Sequence, residues 1–222
     1  MIVKDFFYSY FAPKLWWAQY FNGQVKRTEF IASCLREIAF TNVIETGTFM
    51  GNSSIALASL SNCKVHTVEV NQKYFNSTQK RIKLYHESLN IQQYLGSSEQ
   101  VLEGILRTMS PEFDTLFLYL DAHWSKHLPL NSEISILNSW GGKFIALIDD
   151  FQILDDNGYG FDKYENFVIG KDLVPLTKST KLFRLAAPSS LETGSKRGTG
   201  IVIHVDLFER FSPSLSSMVL EI

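Results

Sequence analysis

Several carboxylates and glycines in this 222-residue chain stand at spacings that could do chemistry. The first group is Glu45-Thr-Gly47-Thr48-Phe49-Met-Gly51-Asn52-Ser53-Ser54, between a short apolar run and a helical stretch. Gly47 lets the backbone turn sharply and approach a ligand with no Cβ in the way. Ser53 or Asn52 can cap the helix that follows. Glu69 lies 24 positions after Glu45 (69 − 45) and ends the apolar run that starts at Lys64. A carboxylate there can accept both hydroxyls of a ribose. An acid on the glycine turn itself would repel a pyrophosphate, so Glu45 favours a ligand with a cationic or amino-acid end. Turn and acids together predict a nucleoside ligand.

A second group is acidic. Asp121 follows Thr-Leu-Phe-Leu-Tyr-Leu directly, and Asp149-Asp150 follow Phe-Ile-Ala-Leu-Ile directly. A charge at the exit of a buried strand costs desolvation unless it is paired, liganded or wet. If the two strands are neighbours, the three carboxylates converge. Three oxygen ligands suit Mg²⁺ or Ca²⁺ rather than zinc, and such a cation can acidify and orient a hydroxyl. The alternative is that these acids cap helices or contact a cofactor with no cation present. His123, two residues past Asp121, can be neutral at pH 7 and is a candidate general base. His127 and Lys126 are weaker candidates. Trp124, Phe49 and Phe151 flank these motifs, as packing or as aromatic faces beside a sulfonium.

The elements that must position these residues alternate. Strand-like runs at 43–45, 64–70, 91–95, 115–120 and 143–148 are separated by helical stretches at 53–60, 72–89, 99–109 and 130–138, and a helix over 27–39 precedes them. The alternation predicts a parallel sheet with right-handed crossovers and helices on both faces, a doubly wound α/β fold. Runs at 181–186 and 200–205 have only a Ser-, Gly- and Thr-rich loop between them, so one of them must run antiparallel. Residues 1–40 are expected to form a helical cap and 41–222 one Rossmann-like unit. The turn-rich stretch from Asp155 to Asp162 reads as a loop beside the site, and this loop near Tyr159 is expected, with the aromatic N-terminal stretch, to shape the substrate pocket.

Glu-Thr-Gly-Thr-Phe-Met-Gly-Asn-Ser-Ser resembles the first motif of the class I S-adenosylmethionine-dependent methyltransferases, a likeness that extends over roughly residues 40 to 206. It implies a seven-stranded sheet with an antiparallel last strand. It also implies that Glu45, Gly47, Thr48, Phe49, Gly51, Ser53 and Ser54 surround the methionine part of S-adenosylmethionine. Glu69 would take the ribose, Ser97 and Ser98 would lie near the adenine, and Asp121 would also border the cofactor. The family often has Asp where Ser97 stands. The acidic group is similar to that of the metal-dependent small-molecule O-methyltransferases acting on catechols and macrolide sugars. By that resemblance Asp121, Asp149 and Asp150 hold Mg²⁺; Asp121, and His123 by its place beside this cluster, are the expected catalytic residues. Asp150 stands where the catechol enzymes carry Asn, a departure that favours a sugar hydroxyl.

Net charge is −2, with 45% hydrophobic and 20% charged residues. That balance lacks the basic footprint of a nucleic-acid binder. The start of the chain does not read as a signal peptide, and no run is long enough to span a bilayer. Cys34 and Cys63 sit in apolar surroundings outside any metal spacing, which predicts free thiols in a reducing, cytoplasmic setting. The aromatic stretch through Trp16 and Trp17 is expected to cap the core, and could serve a homo-oligomer. The expected partner is a small-molecule substrate. Competing readings are a metal-independent methyltransferase, a nicotinamide oxidoreductase and a non-catalytic nucleoside-binding module. The missing third glycine of GxGxxG argues against the oxidoreductase.

Overall fold

A computed structural model describes residues 19–123, 128–165 and 167–222. Trp16, Trp17, Trp124, Lys126 and His127 lie outside the described residues. The chain forms α1 (Val25–Glu37), β1 (Asn42–Thr46), α2 (Asn52–Leu60), β2 (Lys64–Glu69), α3 (Gln72–Tyr85), β3 (Ile91–Leu95), α4 (Ser98–Leu106), β4 (Thr115–Leu120), α5 (Leu130–Trp140) and β5 (Lys143–Ile148). A small hairpin follows, β6 (Lys163–Tyr164) and β7 (Phe167–Val168), then β8 (Thr180–Leu185), β9 (Gly200–His204), short helices α6 (Val205–Phe208) and α7 (Pro213–Ser216), and β10 (Val219–Glu221).

The main sheet runs in the order β10-β8-β9-β5-β4-β1-β2-β3. Strands β1 to β5 pair in parallel, whereas β9 is antiparallel to both β5 and β8, and β10 is antiparallel to β8. The doubly wound fold with an antiparallel ending is therefore as expected. The sheet has eight strands rather than seven, because the last residues pair with β8. A three-residue edge strand after two short helices carries no readable alternation.

Strand alternation explains the two halves of the core. Leu116, Leu118, Leu120, Phe144, Ala146 and Ile148 point to one face, where α4 and α5 bury Leu102, Ile105, Ile134 and Leu137. Phe117, Tyr119, Ile145 and Leu147 point to the other, against Phe30, Ile31 and Cys34 of α1 and Leu57 of α2. Both faces are covered, so β4 and β5 need unbroken apolar runs. In α1 the buried stripe is Arg27, Phe30, Ile31 and Cys34, which are spaced i, i+3, i+4 and i+7. A fully buried arginine on that stripe demands a buried partner. In the 155–162 loop Tyr159 is part of the core, with its hydroxyl donating to Ala187 O at 3.0 Å, whereas Asp162 borders the main cavity. Both cysteines are free, and no helix of the described residues is long and apolar enough to cross a membrane.

Candidate active site

β1 lies between β2 and β4, so strand order reverses there, and ligands of such sheets sit beyond the carboxyl ends of the strands at that point. A cavity of about 800 Å³ opens at this place. Its walls include Gly47 and Phe49 after β1, Glu69 at the end of β2, Ser97 and Ser98 after β3, Asp121 and His123 after β4, and Asp150 after β5. A smaller cavity of about 60 Å³ adjoins it at the start of α2 and is bordered by Gly47, Thr48, Phe49, Ser53 and Asp121. Glu45, Gly51, Ser54 and Asp149 line neither cavity. A volume of this size suits a nucleoside-sized ligand together with a small acceptor.

Gly47 has φ +88°, and a Cβ there would fall 2.1 Å from Asp121 O. The glycine thus lets the β1 turn press against the exit of β4, which brings the two motifs together. Phe49 also has positive φ, and its N–H donates to Glu69 Oε2 at 2.7 Å, while Asn71 N–H donates to Glu69 Oε1 at 2.7 Å. The Glu69 carboxylate is fixed by two backbone amides and still borders the cavity. The Phe49 ring meets Tyr74 edge-on at 4.7 Å, a wall on the same side.

Glu45 is placed beneath the turn. Its Oε2 accepts from Thr67 Oγ1 at 2.7 Å and from Ser54 Oγ, and its Oε1 has no hydrogen-bond partner among the described residues. Burial pushes this carboxyl up to about 7, against hydrogen bonds from Ser54 and Thr67 that pull it down. Through the window from about 4.5 to about 7 the folded chain holds a proton that the unfolded chain has lost. Stability therefore falls as pH rises through that window and levels off above it. Glu45→Gln should remove this slope. Its stability advantage over wild type, by urea unfolding, should grow by roughly 2–3 kcal/mol between about pH 5 and about pH 8. Parallel pH profiles for the two proteins would refute the assignment.

The acidic residues divide in two. Asp149 is buried and faces α1. Its Oδ1 lies 2.6 Å from Arg27 Nη1 and accepts from Asp150 N at 2.7 Å. Its Oδ2 accepts from Tyr119 OH at 2.5 Å and Asn22 Nδ2 at 2.9 Å. Arg27 also donates to Tyr119 OH, Thr199 Oγ1 and the carbonyls of Arg197 and Gly198. The buried cation and anion are thus hydrogen-bonded on every side. The tight pairing with Asp149 raises the Arg27 pKa despite desolvation.

Asp121 and Asp150 turn the other way, into the cavity. His123 Nε2 lies 3.7 Å from both Asp121 Oδ1 and Asp150 Oδ2, and has no hydrogen-bond partner among the described residues. Donor atoms of Asp121, His123 and Asp150 all fall within 4.8 Å of one another. Two carboxylates and an orphaned, buried imidazole nitrogen are a donor set that fits a divalent cation. Desolvation, then repulsion from Asp149 and Asp150, raises the Asp121 pKa well above the usual carboxylate range. For Asp150 burial pulls upward, but His123 and Arg197 prevail and hold the group at about 2. Asp150 has φ +55°, a left-handed conformation of the kind that gathers at functional sites.

Sequence reasoning overlooked Arg27, Asn22, Tyr119, Tyr164 and Arg197. Arg197 pairs through Nε with Asp150 Oδ1 and through Nη2 with Asp162 Oδ1. Tyr164 on β6 donates to His123 O at 2.9 Å. Together these tie the hairpin over the acidic end of the cavity. For Arg27 there was a signal, a charge on the apolar stripe of α1. For Arg197, in a polar loop, there was none.

An O-methyltransferase family model matches residues 14–145. The chain belongs to the O-methyltransferase family. The match ends within β5, so the acidic pair 149–150 lies beyond the residues this family match covers. No curated protein sequence matches the chain. A candidate caffeoyl-CoA O-methyltransferase from Staphylococcus aureus is similar in fold, with TM-score 0.56 and 16% identity over 80% of this chain and 82% of that one. A candidate O-methyltransferase from Klebsiella pneumoniae gives TM-score 0.52 and 13% identity over 81% and 80%. Geranyl diphosphate methyltransferase in complex with SAM gives TM-score 0.39 and 12% identity, and the chain spans 48% of its length. In its complex with GPP and sinefungin the same enzyme gives TM-score 0.40 and 13% identity, with 44% of its length spanned. These likenesses to members and neighbours of the O-methyltransferase family are likenesses of fold.

Proposed function

We propose that the chain transfers the methyl group of S-adenosylmethionine to a hydroxyl of a small-molecule acceptor, with a divalent cation at the acceptor end. The observation that carries this reading is a single cavity with Glu69 at one end and Asp121, His123 and Asp150 at the other. When bound, S-adenosylmethionine supplies a methyl carbon on a cationic sulfur, and a cation beside a hydroxyl lowers its pKa. Glu69, held by two amides, binds the ribose hydroxyls. Ser97 and Ser98 lie on the adenine side, and Gly47, Thr48 and Ser53 border the methionine end. Asp121 and Asp150 hold the cation. The acceptor hydroxyl lies against Asp121 and His123, one of which takes its proton. Tyr164 and the hairpin cover that end and exclude water, so most of the rate gain would come from orientation.

Calorimetry with S-adenosylmethionine tests the cofactor assignment. Glu69→Gln removes the charge that receives the ribose and should weaken binding about tenfold or more, as hydrogen bonds to charged groups are worth about 1.5–3 kcal/mol. Wild-type affinity in that variant, or no binding by the wild-type protein, would defeat the reading.

A further inference from the structure

The sequence suggests an all-oxygen ligand set of Asp121, Asp149 and Asp150, but the geometry distributes these residues differently. Among the described residues the Asp149 carboxylate is held by Arg27, Tyr119, Asn22 and the Asp150 amide. A cation could recruit it only by breaking a buried ion pair. His123 stands in the opposite condition. Its side chain is 3% exposed, its Nε2 has no hydrogen-bond partner among the described residues, and that atom faces two carboxylate oxygens at 3.7 Å. The surroundings hold this arrangement in place. Arg197 occupies Asp150 Oδ1 and leaves Oδ2 toward His123, and the Tyr164 hydroxyl fixes the His123 carbonyl. Such supporting bonds around ligating groups orient them and tune the ion they bind.

We propose that Asp121 Oδ1, His123 Nε2 and Asp150 Oδ2 form a mixed nitrogen–oxygen cation site that takes a first-row transition divalent ion of the Mn²⁺ class in preference to Mg²⁺, with Asp149 outside the ligand set. Mg²⁺ favours oxygen ligands and gains little from an imidazole, whereas a neutral imidazole strengthens transition-metal binding. The two carboxylates keep the site hospitable to Mn²⁺, which tolerates both donor types. With Nε2 committed to the cation, the hydroxyl proton goes to the free oxygen of Asp121 rather than to His123. The metal preference concerns the same site as the methyl-transfer reading and rests on that reading only for what the cation does.

Mn²⁺ binding is followed by the loss of the free-ion electron paramagnetic resonance signal, and Mg²⁺ affinity by displacement of Mn²⁺. The wild-type chain should bind one Mn²⁺, and Mg²⁺ should displace it only at about tenfold higher concentration or more. His123→Ala should lower Mn²⁺ affinity about tenfold or more and largely erase the preference over Mg²⁺, with an unchanged melting temperature as the check on folding. His123→Asn, which restores a ligand atom without imidazole nitrogen, should recover affinity but not preference. Equal wild-type affinity for the two ions overturns the proposal. So does wild-type Mn²⁺ affinity in His123→Ala, the result expected of a histidine that acts only as a base. So does failure to bind Mn²⁺ while S-adenosylmethionine still binds, an outcome that leaves the methyl-transfer reading standing. Loss of S-adenosylmethionine binding with Mn²⁺ binding intact would do the reverse.

Discussion

Arg27→Ala should cost the fold about 3–5 kcal/mol, the loss expected when one partner of a buried ion pair is removed. The guanidinium is fully buried, lies 2.6 Å from Asp149, and donates to Tyr119, Thr199 and two loop carbonyls. Its removal strands the Asp149 carboxylate in the interior without its cation and takes one of two donors from each of the carbonyls of Arg197 and Gly198. A domain of ordinary stability has about 5–15 kcal/mol to lose, so the variant should be marginal at best. Asp149→Asn in the Arg27→Ala background should recover part of the loss, because the stranded charge disappears. Urea unfolding of the two single variants and the double variant measures this coupling. Additive losses would mean that Arg27 and Asp149 do not depend on each other.

Asp121→Asn should reduce methyl transfer by about 10²–10⁴-fold, the range for removal of a group that handles the transferred proton. S-adenosylmethionine affinity should change little, because Glu69 and the glycine turn remain. In the absence of a divalent cation the same substitution should stabilise the fold at neutral pH. Desolvation and the charges of Asp149 and Asp150 raise the Asp121 pKa, so the folded chain keeps this proton to higher pH than the unfolded chain. Stability contributed by the protonated form is lost as pH rises above the ordinary carboxylate range, and Asn does not titrate. With a third of the side chain open to the cavity, solvent screens part of the effect. A stabilised but inactive variant is the expected signature of a site that gives up stability for function. An active Asp121→Asn protein would remove Asp121 from the chemistry.

Much of the frame could be read from residue types. The unbroken apolar runs of β4 and β5 mark strands covered on both faces, and their limits fall where the composition changes. Helix ends were less legible: α3 stops at Tyr85, although polar residues at helical spacing run on toward Leu89. Strand parity could have divided Asp149 from Asp150, although the sequence reading set all three acids together. Ile145 and Leu147 face α1, so Asp149 continues that face, and the left-handed Asp150 swings away from it. Arg27 on the stripe of α1 was the other half of that unread signal. Which loop carbonyls would receive the arginine, and that Arg197 would reach both Asp150 and Asp162, depends on pairings between residues far apart in sequence. Spacing alone cannot specify those.

Helix α1 is stitched to the segment just before β9. Glu192 accepts from the amides of Lys26 and Arg27, and Gln24 donates to Arg197 O and accepts from Arg197 N. During synthesis α1 leaves the ribosome long before residues 192–199, and its N-terminal end has no anchor until they arrive. Its apolar stripe meets β4 and β5 sooner, but Arg27 still lacks Thr199 and the carbonyls of Arg197 and Gly198. Contacts of such long sequence separation form slowly and leave hydrophobic surface open to chaperones meanwhile. A nascent chain halted before residue 192 would therefore lack Arg197 at the acidic end of the cavity, whatever the state of the glycine-turn end.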